Sequence, residues 1–533
     1  MARGFPRNAG LTPLQRWVRA WQIIFLAVFL VALLVGGALV ARKVFFPASS
    51  TPTPGPQIKT TPAGGCSASG CIANGIGISD GHYAFDTDRP DGITKKSAAA
   101  ALLTGKTQDA ESLWDQATAT DTNDAEALIY KEDQRVLDSG HHYITLIVAT
   151  MLTGSASYVN AGRENLQGAY VAQKMFNDGF QLGNDLLVRL LVANSGGTAG
   201  DAQTVARQIV QVAASNPTFV GVMGWPFSGQ TLQALDILKR AKIPMVSPTA
   251  SSDALTNVSP FFFHVCPSNL LQAVAGARYA SQRLQAKRVV LFVDPANSYS
   301  QSLADDFRSQ FALSGGQIIA TEQYTVGSPA GLFSLSQQAS SLSPDLIYFS
   351  GYADDMGVLM TDLQNANPNL LLMGGDALYE LGAYPSSARA SYHRLRFTAF
   401  AFPDEWNVLG LTNPAFFQTY ANSYDPSGLH PRAYEYSRPD ADVMLSYDAT
   451  LALLQASANR LAQHPGALTP AGLEQGLLAL HGAQAIQGVS GQIALGSDSN
   501  PVNKAVVVLS VNPGGYTQLA AGDVQGCFIK DNC

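Results

Sequence analysis

From Tyr143 onward, short apolar runs alternate with amphipathic ones. "YITLIVATML" is followed by "GRENLQGAYVAQKMFND", "LLVRLLVAN" by "DAQTVARQIVQVAAS", and "TFVGVMG" by "GQTLQALDILKRA", with "IPMVSP" ending the series. A second series starts at "AKRVVLFVD" and runs through "SLADDFRSQFALSGG", "QIIATEQYT", "PDLIYFSG" and "MGVLMTDLQNA" to "NLLLMGGD". Strand and helix in regular alternation predict parallel sheets covered by helices on both faces, here built twice. The fold class is therefore α/β, two doubly wound Rossmann-like lobes joined by a hinge. Ligands of such sheets sit at the carboxyl ends of the strands.

The chain before Tyr143 has a different texture. Residues 95–140 are rich in Ala, Leu, Glu and Gln, which predicts helices. Within them Ala100–Thr107 matches A-x-x-x-x-G-K-T, but a phosphate loop needs a strand before it and a helix after it, and here a helical run precedes. Gly105 at a turn, then Ala110, Trp114 and Ala117 at spacings of four and three, instead predict a helix-turn-helix. It resembles a tetratricopeptide repeat, too short to bury its own face, so it is expected to dock on the next domain or on a partner.

Further upstream, 23–41 is uncharged and apolar, long enough for a membrane helix, which needs roughly 17–25 residues. Arg3, Arg7, Arg16 and Arg19 precede it and only Arg42 and Lys43 follow closely, placing 1–22 in the cytoplasm and the bulk outside. The alternative is a cleaved signal peptide with Gly36 and Ala38 near the cleavage site, although the apolar run exceeds the usual h-region. A Pro/Thr-rich tether, 42–65, follows. Outside the membrane the close pairs Cys66/Cys71 and Cys527/Cys533 read as disulfides, within each pair or joining the two ends. A four-thiolate zinc site is the alternative, and Cys266 reads as a small buried apolar residue.

The 533 residues carry a formal net charge of −7 and have no long basic run, which excludes a nucleic-acid footprint. Candidate chemistry centres on "GVMGWPFSGQ" (221–230), a strand-to-helix turn. Pro226 stands two before Ser228 and Gly229 follows at once, so no nucleophile elbow is encoded. No H-E-x-x-H or G-x-G-x-x-G occurs either. Ser228 and Gly229 at a helix start, a hydroxyl beside free amides, suit a carboxylate. This is binding chemistry, with no enzyme and no cofactor expected.

Nine ordered segments, among them "GRENLQGAYVAQ", "GWPFSGQT", "IPMVSPTASSDALT", "KRVVLFVDPANSYSQSLADDF", "LLMGGDALY" and "GVSGQIAL", make residues 143–517 resemble the substrate-binding proteins of branched-chain amino acid ABC transporters. That resemblance implies a type I periplasmic-binding fold, with lobe one at about 143–266 and 394–485 and lobe two at about 267–393 and 486–517, before a tail at 518–533. It implies that Ser228, Thr249, Ala250 and Ser251 hold a carboxylate, that Asp376 holds an ammonium, and that Tyr299 and Tyr352 cover the ligand. Ala161 stands where the family has an aromatic, with Tyr158 nearby, which loosens the side-chain pocket. His264 replaces an arginine and is expected on a hinge strand. The implied protein is membrane-anchored and extracytoplasmic, binds a small amino acid-like ligand and passes it to an ABC permease. The alternative is a non-transport scaffold or sensor that uses the same fold to regulate envelope partners.

Overall fold

The computed structural model describes residues 66–530 except 184, 513 and 516. The expected cytoplasmic leader at 1–22, membrane span at 23–41, tether at 42–65, and Cys533 lie outside the described residues. Among those described, no helix is long and apolar enough to cross a membrane.

Two seven-stranded sheets carry the fold. The first contains β1 (Cys71–Ala73), β2 (Ile76–Ser79), β3 (Tyr143–Thr150), β4 (Leu187–Asn194), β5 (Phe219–Gly224), β6 (Met245–Ser247) and β7 (Phe262–His264), in the order β1-β2-β4-β3-β5-β6-β7. The five strands from β4 to β7 in that order are parallel, with β3 against β4 from Tyr143↔Leu187 to Thr150↔Asn194. Every residue of β4 and β5 is buried, as an apolar run between two helical layers requires.

The second sheet repeats the plan with β8 (Arg288–Val293), β9 (Gln317–Gln323), β10 (Leu346–Ser350), β11 (Leu371–Gly374) and β12 (Leu395–Ala399). A hairpin of β13 (Ile486–Gly488) and β14 (Gly491–Ile493) stands apart, and β15 (Val506–Val511) and β16 (Thr517–Gln525) complete the second sheet as antiparallel strands beyond β12. Both sheets are thus mixed, each with a parallel centre and an antiparallel margin.

Three expected boundaries shift. β12 belongs to the second sheet, so the return to the first lobe falls after Ala399 and not at about 394. The Cys-containing loop is the β1–β2 hairpin, with Cys66 and Cys71 joined by a disulfide and β2 paired to β4. The tail beyond 517 continues as β16. The first margin escapes sequence patterning because β1 and β2 are only 3 and 4 residues long and β2 joins the sheet through β4, far away in the chain. Cys527 is also disulfide-bonded and Cys266 is free and buried.

The helical preface forms helices Gly92–Leu103, Thr107–Thr120 and Ala125–Asp138. Gly105 makes the turn at φ +72°, and Ala110, Trp114 and Ala117 have no exposed surface. The third helix receives Trp114 on Tyr130, ring centroids 5.3 Å apart, and meets the first lobe on its other side. There Asp133 accepts from the Leu190 amide of β4 and from Gln173, and Asn177 donates to Glu132. The preface is therefore one hairpin and a third helix fixed to the first lobe, not a stack of repeats.

At the heart of the first lobe, helix Ala156–Asp178 lies against helix Ala441–Gln463. Gly168 permits the approach, since a Cβ there would stand 2.3 Å from the Val443 carbonyl oxygen. Lobe-to-lobe crossings follow β7, follow β12 and precede β15. His264, ending β7, bonds through Nε2 to Asn500 on the third crossing at 2.8 Å, and burial lowers its pKa to about 4. It is a neutral strut between two crossings.

Candidate functional site

Between the lobes lies a cleft of about 580 Å³, counting space open to solvent. The walls come from the carboxyl ends of strands in both sheets, as a doubly wound architecture dictates. From the first lobe come Ser157 and Ala161 after β3, Pro226, Phe227 and Ser228 after β5, and Thr249 after β6. Tyr299 after β8, Tyr352 after β10, and Asp376 and Tyr379 after β11 come from the second. The rings of Phe227 and Tyr352 meet across the gap at 5.5 Å, and Tyr158 backs Phe227 at 4.8 Å.

Ser228 opens helix Ser228–Leu238 and is 2% exposed. Its Oγ accepts the Ser252 amide at 3.2 Å, which leaves its own proton to donate elsewhere. Gly229 faces Ser298 of the other lobe; a Cβ would stand 4.0 Å from that hydroxyl. Thr249 lines the cleft, but its hydroxyl donates to the Pro226 carbonyl at 2.9 Å. Ala250 gives its amide to Ser247 Oγ, and Ser251 is buried with an unpartnered hydroxyl. Neither Ala250 nor Ser251 is among the cleft-lining residues, so of that loop Thr249 alone borders the cleft.

Asp376 Oδ1 accepts both the Tyr299 hydroxyl and the Gln272 amide at 2.8 Å, leaving Oδ2 for a ligand. Burial raises its carboxyl to about 6, against the opposing pull of those two donors. Tyr299 and Tyr352 pack beside it with their rings tilted by 35° and centroids 5.4 Å apart. Trp225 is fully buried under the first sheet and is not part of the wall; a cis peptide precedes it, and its carbonyl accepts from Ser247 and Thr231.

Sequence reasoning missed Phe227 and four carboxylates on the same wall, Glu164, Glu380, Asp440 and Asp442. Phe227 was available inside "GWPF". The acids carry no motif, and what gathers them is the packing of helix Ala156–Asp178 on helix Ala441–Gln463 together with the segment after Asp376.

A sequence model of periplasmic binding proteins matches residues 144–516. Among curated relatives, the Leu/Ile/Val-binding protein BraC3 of Rhizobium johnstonii is 28% identical over 245 residues, 45% of this chain and 62% of the relative. The chain thus spans less than two thirds of that relative's length. Among solved structures, the leucine binding protein LivK of Thermotoga maritima aligns with TM-score 0.61 and 23% identity, covering 73% of this chain and all of its own. The branched-chain amino acid transporter substrate binding protein LivJ of Streptococcus pneumoniae, in complex with isoleucine, aligns with TM-score 0.58 and 20% identity over 71% of this chain and 99% of its own. Two mixed α/β lobes, a cleft at the strand ends and a match over most of the chain agree: this chain belongs to the periplasmic binding protein family.

Proposed function

We propose that this is an extracytoplasmic solute-binding protein that closes its lobes on a small amino acid-like ligand without transforming it and delivers it to an ABC permease, with 23–41 as its membrane anchor. The observation that carries the reading is the pairing of opposite chemistries in one cleft. Ser228, with a free proton at a helix start, comes from one lobe, and Asp376, with a free carboxylate oxygen beside Tyr299, from the other. A zwitterion bridges such a pair with two charge-assisted hydrogen bonds, each about twice as strong as a neutral one. Contacts that complete only when the lobes meet drive closure. The helical preface supports this over a scaffold, because the Trp114 face that could seat a partner is already buried.

The test is a panel of amino acids in a thermal-shift assay followed by calorimetry, since binding to the folded state alone raises apparent stability. Ser228→Ala and Asp376→Ala are each expected to weaken binding tenfold or more, about 1.4 kcal/mol. No stabilisation and no heat from any amino acid would remove the transport reading.

A further inference from the structure

The cleft holds more negative charge than a neutral amino acid can use. Beyond Asp376, one carboxylate oxygen from each of Glu164, Glu380 and Asp442 lies within 4.8 Å of the others, and Asp440 adjoins them. Glu164 comes from helix Ala156–Asp178, Glu380 from the segment four residues past Asp376, and Asp442 from the start of helix Ala441–Gln463. The charges that raise them are all acidic: Asp440, Glu380 and Asp442 act on Glu164, and Asp440 and Asp376 act on Asp442. Asp440, Asp442, Glu435 and Asp354 act on Glu380. The exposed Arg389 lines an adjoining recess that Glu164, Glu380 and Asp440 also border, and it is bonded to none of the three clustered acids among the described residues. Burial and mutual repulsion push all three acids well above the usual carboxylate range, the behaviour of a site that takes up protons unless a cation neutralises it.

Beside the acids, one buried group points to a ligand. Glu164 is 4% exposed and shares a hydrogen bond with the Asp440 side chain, with no lysine or arginine bonded to it among the described residues. Ser157, seven residues earlier on the same helix face, is 5% exposed, lines the cleft, and among the described residues has no hydrogen-bond partner for its Oγ. Ala161 lies between them on that face. A hydroxyl, a gap and a carboxylate thus follow one another over about 10 Å of helix. Ala161, Ser228, Asp376, Glu164 and Asp442 line one cleft, and Asp442 senses Asp376 as well as Asp440, so the acid cluster continues the amino acid seat.

We infer that the cleft selects an amino acid with a second cationic group, an ammonium or guanidinium at the end of its side chain, seated among Glu164, Glu380 and Asp442. The inference rests on the amino acid-binding reading above and names the ligand class. A long cationic side chain matches the wall because its stem is apolar and its head offers several donors to clustered carboxylates.

The experiment is calorimetry on the full-length protein in mild detergent, titrated with lysine, with norleucine, which has a similar stem but no side-chain ammonium, and with calcium chloride. Lysine is expected to bind at least 100-fold more tightly than norleucine. In Glu164→Gln and in Asp442→Asn that ratio should fall at least tenfold. Both substitutions remove repulsion from a buried site, so an unliganded melting temperature equal to or above the wild type's confirms that the variants fold. Norleucine binding as tightly as lysine, or a lysine preference unchanged in both variants, overturns the inference while leaving the amino acid reading intact. Calcium binding that depends on Glu164 while lysine gives no heat overturns it in favour of a metal site. Heat from neither amino acid nor calcium overturns this inference, while the amino acid reading stands or falls by the full panel above.

Discussion

Asp376 sits where solution pH can change its charge. With its carboxyl raised from 3.8 to about 6, it is largely protonated at pH 5 and largely ionised at pH 7. An ammonium needs the ionised form, so ligand affinity is expected to climb between pH 5 and 7 and then level off, which calorimetry at three pH values would test. Stability without ligand runs the other way. The unfolded chain titrates this carboxyl near 3.8, so the folded state holds the extra proton between about 4 and 6, and the stability it contributes is lost as pH rises through 6. Asp376→Asn should flatten that part of a stability–pH curve. Ser228 was legible from its place at a strand-to-helix turn, whereas Asp376 in "GGD" and Tyr352 were legible only through the family resemblance, although both also follow strand ends. Ala250 and Ser251 share such a place, yet their loop turns them inward; Ala250 spends its amide on Ser247, a local bond that no sequence spacing announces.

Among the elements, the preface is held by buried charge. Lys95 has no exposed surface and pairs with Asp124 at 2.5 Å and Glu126 at 2.9 Å, while Glu126 also accepts the amides of Phe85 and Asp86. Arg163, from the helix that lines the cleft, reaches Asp86 at 2.7 Å and extends this network into the first lobe. Removing one partner of a buried pair costs about 3–5 kcal/mol because the other is left uncompensated. Lys95→Met should therefore destabilise the protein by about that amount in chemical denaturation, whereas a loss below 1 kcal/mol would mean that water enters the network. Gly168→Ala is expected to cost about 1–3 kcal/mol, since its methyl meets backbone atoms that cannot swing aside. The helices themselves were legible from their periodicity. Their docking was not, because Lys95, Asp124 and Arg163 are ordinary surface residues until three helices meet.

For the whole molecule, the alternation of runs announced two lobes and a cleft, while the antiparallel margins and the acid cluster depend on contacts between distant segments. The lobes also touch beside the turn that carries Ser228. Ser252 donates to the Ser298 carbonyl at 3.0 Å, and the Asp253 amide donates to Ser302 at 3.2 Å. These polar contacts can break and re-form as the three crossings flex, which suits a hinge. The buried Trp225 gives that motion an optical consequence. Among the described residues its indole N–H has no acceptor, and its carbonyl is held by Thr231 and Ser247 behind the turn that carries Ser228. A charge arriving at the Ser228 helix start alters the electric field on the ring and hence the colour of its fluorescence. Saturating ligand should shift the emission of the wild type and leave that of Trp225→Phe unmoved, so the protein carries its own light gauge for an occupied, shut cleft.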